Sequence, residues 1–166
     1  MTWGRALFAA WGLLGGSPPN AALPDPRQTP GAVDVRVTQQ NIGTTICVPG
    51  YARSVRPPYA VTRQLKRAAM ISSGHYGERY SAYEFDHLVP LSLGGAQTDA
   101  RNLWLEPVTG QWGAADKDDL EYFLWIKVCR SEVSLSAAQA AIAGDWIAAH
   151  RRSVRGKPQA RWPRNE

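Results

Sequence analysis

Residues 84–107 read EFDHLVPLSLGGAQTDARNLWLEP, and the fold turns on how this stretch is read. Residues 83–89 have the composition of a strand. Pro90 and the Gly94-Gly95 pair then break it, and Asn102-Leu103-Trp104-Leu105 returns as a second short strand. Asp86 and His87 stand side by side at the end of the first strand. Neighbouring strand residues face opposite sides, so both serve one site only if the backbone bends there, as Pro90 and its loop allow. A carboxylate suits a hard divalent cation, and an imidazole that titrates near neutral pH suits proton abstraction. Asn102, in the returning strand, is suited to hydrogen-bond the facing loop backbone and hold the histidine in place.

Working outward, the sequence predicts a helix over 112–128, with Leu120, Phe123, Leu124 and Val128 on one face. A last helix over 136–152 shares Ala138, Ile142 and Trp146 on a face; Ser134 or Ser136 caps it, and Gly144 weakens it. Toward the N-terminus, 33–37 and 44–48 read as short strands, and Thr62 as the cap of a short helix through Met70. His75, in the glycine- and tyrosine-rich stretch 71–80, reads as exposed and inert. No internal repeat is visible.

The segment resembles an HNH nuclease motif: Asp-His, a loop with paired glycines, Asn-Leu, then a helix. The wider pattern of TPGAVD, TICVPGY, VRPP, KDDLE and AQAAIAGDW resembles small bacterial and phage proteins with an HNH-like domain. The resemblance implies an α+β fold with a ββα-metal core of two strands and a helix, flanked by short strands and helices. It implies a metal-dependent endonuclease that hydrolyses phosphodiester bonds of DNA, with RNA as the alternative. Asp86 matches the first metal ligand, His87 the general base and Asn102 the orienting asparagine. Where the family carries a third ligand, this chain has Gly113. Asp116 and Asp118 are the candidate replacements, with Lys117 as a phosphate contact. The implied cofactor is a divalent cation, Mg or Mn, with Zn as the alternative. The family's structural cysteine pairs are absent. The Gly113 departure keeps open a nucleic-acid-binding protein on a degenerate HNH scaffold, and beside it a structural exported domain.

The chain has 166 residues and a formal net charge of +5, which suits one compact domain with tails. Its 44% hydrophobic content excludes wholesale disorder, and no apolar run is long enough to span a bilayer. Residues 151–166 hold six basic side chains against one acidic, so the whole net charge resides in this tail. Arg53, Arg56, Arg63, Lys66 and Arg67 form an acid-free cluster, read either as a phosphate-contact surface or as a solvated face. Residues 1–23 have the pattern of a secretory signal peptide: a basic start, an apolar middle and a small-residue exit. This points to export, periplasmic or secreted, with a cytoplasmic protein as the alternative. In an exported chain Cys47 and Cys129 would pair; in a reducing cytosol they would be buried thiols. The expected organisation is a signal peptide over 1–23, a proline-rich linker over 24–32, a nuclease domain over 33–150 and a basic tail over 151–166. Nucleic acid is the expected partner, with no membrane and no obligate protein partner.

Overall fold

The computed structural model describes residues 23–75 and 77–154; residues 1–22, most of the expected signal peptide, and 155–166, most of the basic tail, lie outside them. The fold is α+β. Strand β1 (Tyr83–His87) pairs antiparallel with β2 (Leu103–Pro107), with Asp86 opposite Trp104 and Glu84 opposite Glu106. Helix α1 (Tyr51–Ser54) and helix α2 (Tyr59–Ser72) precede the hairpin, and α3 (Ala114–Cys129) and α4 (Leu135–Ser153) follow it. No helix among the described residues is long and apolar enough to cross a membrane.

The core forms where α3 and α4 pack together beneath the hairpin loop. Leu120, Leu124 and Val128 of α3 meet Ala138, Ile142 and Trp146 of α4, together with Leu88, Val89 and Leu93. The i, i+4 spacing of both sets makes one continuous apolar stripe on each helix. Ser134 caps α4 by accepting the Ala137 N–H. The helix bends at Asp145, beside Gly144, where φ −147° and ψ 90° leave the helical region. Asp145 Oδ1 accepts the Ala148 N–H and so recaps the second half.

Several expected elements differ. Residues 44–48 form no strand. A 3₁₀ helix (Gln39–Thr44) precedes them, and Asn41 folds the chain by accepting the Thr38 N–H and donating to the Arg36 carbonyl. The Ile46 carbonyl accepts from the Trp125 indole instead of from a neighbouring strand. Residues 33–37 make only an isolated bridge, Val33 to Gly95, because Asp34 clamps Arg36 and turns the chain. Helix α2 starts at Tyr59, earlier than Thr62, directly after Pro57-Pro58. The end of the expected linker is held against the body of the protein, while 25–28 are exposed. Thr29 is buried, the Gly31 N–H donates to the Arg101 carbonyl, and a Cβ on Gly31 would stand 2.7 Å from Ala143 Cβ.

Cys47 and Cys129 form a disulfide that ties the N-terminal loops to the end of α3, with 5.6 Å between the Cα atoms. Such a bridge is compatible with an exported protein.

Candidate active site

The expected first strand stops two residues early, and Asn102 is the reason. The Val89 N–H donates to Asn102 Oδ1, and Asn102 Nδ2 donates to the Val89 and Ala96 carbonyls at 2.9 and 3.1 Å. A side chain thus replaces the β-ladder and pins both ends of the loop between the strands. Gly95 lies under it: a Cβ there would meet the Val89 carbonyl oxygen at 1.8 Å and Asn102 Nδ2 at 2.8 Å. The constraint at 95 is this close approach, so only glycine fits.

The two faces of the hairpin carry different chemistry. Strand alternation sets Glu84, Asp86, Trp104 and Glu106 on one side and Phe85, His87, Leu103 and Leu105 on the other. On the first side the hairpin meets α3. Lys117 Nζ donates to Asp86 Oδ2 at 2.5 Å, to the His87 carbonyl at 2.9 Å and to Glu121 Oε1. Lys117 is wholly buried, Glu106 is 2% exposed and Glu121 is 8% exposed. Glu106 lies beside Asp86, whose charge raises its pKa, and its Oε1 is buried with no partner.

Three carboxyls around one ammonium cannot all ionise. Burial pushes Glu106 up to about 10, with Lys117 opposing and Asp86 reinforcing. Burial likewise carries Glu121 to about 8 against the pull of Lys117. Burial also works against the charge on Asp86, but Lys117 outweighs it and holds this carboxyl below its ordinary value. For Lys117 itself, burial disfavours the ammonium, and Asp86, Glu121 and Glu106 overcome it. At neutral pH the cluster is therefore one ammonium, one carboxylate and neutral carboxyls.

On the other side His87 is 4% exposed, and its Nε2 donates to the Gln97 carbonyl at 2.9 Å. Burial lowers its pKa, against the Gln97 bond and Asp86, which raise it; Arg56 lowers it further. The ring is thus neutral near pH 7 with Nε2 as the donor nitrogen, which leaves the lone pair on Nδ1. Gln97 and Arg56 both line an open cleft of about 640 Å³, whose wall also includes Arg36, Tyr51 and Thr98.

The other expected residues fall as follows. Arg53, Arg63 and Arg67 are exposed on α1 and α2. Lys66 is half-buried and donates to the Tyr80 and Tyr83 carbonyls. Lys117, expected as a phosphate contact, is buried and cannot serve as one. His75 is engaged, with Nδ1 2.7 Å from Glu78 Oε1 and its ring against Tyr83. Asp116 and Asp118 sit in the first turns of α3. Asp118 reaches solvent, yet its carboxyl is pushed up to about 6, first by the protein packed around it and then by Asp86. Among the described residues no group of three or more His, Cys, Asp or Glu is assembled to hold a metal ion. Gly113, the N-cap of α3, has no room for a ligand side chain. A Cβ there would lie 2.8 Å from the Val108 carbonyl oxygen. Asp86, the one expected ligand on the hairpin, is already bound to an ammonium. This donor set does not fit a divalent cation.

Sequence reasoning missed Glu106 and Gln97, and it read Glu121 as one of the acids at the start of the helix, on the surface or toward a metal, not as a buried partner of Lys117. The spacing of Trp104 and Glu106 by two held the first, and that of Lys117 and Glu121 by four held the pairing. Gln97 acts through its backbone carbonyl, which leaves no signature in residue type. No family model, curated protein or solved structure matches this chain.

Proposed function

We propose that the chain is an endonuclease that hydrolyses phosphodiester bonds, of DNA first with RNA as the alternative, using His87 as general base on an HNH-like hairpin and helix. The observation that carries this reading is the fixed tautomer of His87: Nε2–H is committed to the Gln97 carbonyl, and the ring is held neutral. Nδ1 is then the ring nitrogen left to take the proton of an attacking water as the water oxygen bonds to phosphorus. The phosphorus–oxygen bond opposite breaks, and the leaving oxygen takes a proton from solvent. Arg56, on the cleft wall, is the cation available to the phosphate.

Nicking of supercoiled plasmid tests this. His87→Ala should lower the cleavage rate by about 10²–10⁴-fold while DNA affinity is retained. Cleavage at the parent rate would sink the assignment. The capture of Asp86 by Lys117 favours a second reading, a nucleic-acid-binding protein that keeps the scaffold without the chemistry. Salt-sensitive DNA binding with no nicking under any condition would select it.

A further inference from the structure

We propose that the ammonium of Lys117 is the resident cation of this site, standing where the resemblance would put a divalent ion. Its consequence for cleavage rests on the nuclease reading; its consequence for metal binding does not.

The geometry is that of a cation cage. Nζ is met by oxygens from two elements: Asp86 Oδ2 and the His87 carbonyl from β1, and Glu121 Oε1 from α3. A lysine ammonium has three N–H donors, and all three are used. A fourth oxygen group, the Glu106 carboxyl, borders the cage through Asp86. The Lys117 side chain is 1% exposed, so nothing of this charge is left to solvent. Burying an ammonium is costly unless paired and fully hydrogen-bonded, and here the hairpin and helix supply that pairing. Carboxylate and carbonyl oxygens are also the donors that hard divalent ions take. The same atoms cannot hold both, because Nζ sits between Asp86 and Glu121.

Lys117 thus acts as a positioning residue. It joins the end of β1 to α3 through the Asp86 side chain and the His87 backbone, and so fixes where the His87 ring starts. It does not touch the cleft. Charge on the phosphate then falls to Arg56, and cleavage needs no added metal.

The full chain is titrated with Mn²⁺, following free Mn²⁺ by electron paramagnetic resonance. The parent protein should show no stoichiometric site. Lys117→Ala should bind Mn²⁺ at least about tenfold more tightly, and adding Asp86→Asn should abolish the gain. A 1:1 Mn²⁺ site in the parent that is lost in Asp86→Asn overturns the proposal, and this arm stands even if Lys117→Ala does not fold. A folded Lys117→Ala protein, checked by circular dichroism, that gains no Mn²⁺ affinity also overturns it. In plasmid nicking, EDTA should change the parent rate by less than about twofold, and loss of cleavage in EDTA overturns the proposal. If no nicking occurs under any condition, the nuclease reading fails, and the Mn²⁺ titration still decides the role of Lys117.

Discussion

At the scale of single residues, His87 and Asn102 do separate work. Asn102 is fully buried and satisfies one N–H and two carbonyls of the loop. Asn102→Ala would orphan those groups in the interior. At about 1–3 kcal/mol for each buried unpaired group, the unfolding free energy should fall by roughly 3 kcal/mol or more, read by urea denaturation. His87 makes a prediction in pH. As the proposed general base it would act when neutral, and burial lowers its pKa beneath the ordinary 6.5. Activity should therefore persist as pH falls to 6.5 and drop only below it; a kcat/KM profile with its acid limb above 6.5 would contradict a buried neutral base. That Asn102 would bond the facing loop backbone was legible, because its amide offers that backbone both a donor and an acceptor, although it stands one residue before the strand expected to contain it. The partner of His87 was not, because any residue at 97 offers the same carbonyl.

At the scale of elements, the hairpin separates two chemistries by the period of two. The face toward α3 holds carboxyls and Lys117; the other holds His87. Glu106 makes this packing sensitive to pH. Its carboxyl titrates near 4.5 in the unfolded chain and near 10 when folded. The folded protein therefore holds an extra proton between these values. The stability from this group is full below about pH 4.5 and is lost as pH rises through its folded value. Glu121, carried to about 8, has the same sign. Above pH 7, where His87 is neutral in both states, the urea midpoint should fall toward pH 9. Glu106→Gln, permanently neutral and of the same shape, should flatten that slope. An unchanged slope would show that Glu106 takes up no extra proton on folding. The helices α3 and α4 were readable from apolar spacing, which depends only on local sequence. The strands expected at 33–37 and 44–48 were not real, because a strand needs a partner edge and side-chain clamps from Asp34 and Asn41 turned the chain first.

At the scale of the molecule, the disulfide joins parts 82 residues apart and closes the N-terminal loops onto α3. By chain-entropy estimates a loop of this size is worth about 4 kcal/mol, so reduction should lower the denaturation midpoint markedly. A midpoint unchanged after full reduction would mean that packing alone holds these loops. From the amino-acid order alone follow the run of strand, loop, strand and helix, the position of Asp86-His87 at a strand end, and the apolar faces of α3 and α4. All are matters of local spacing and turn chemistry, carried within a few residues. The fate of Lys117 was of another kind. Among the acids of KDDLE it has the composition of a solvated surface, and only the docking of α3 on the hairpin turns it inward onto Asp86. The packed stretch before Val33 and the cramped backbone at Gly113 follow the same logic. Burial and partner choice are set by which faces meet across long separations, and no local pattern records that.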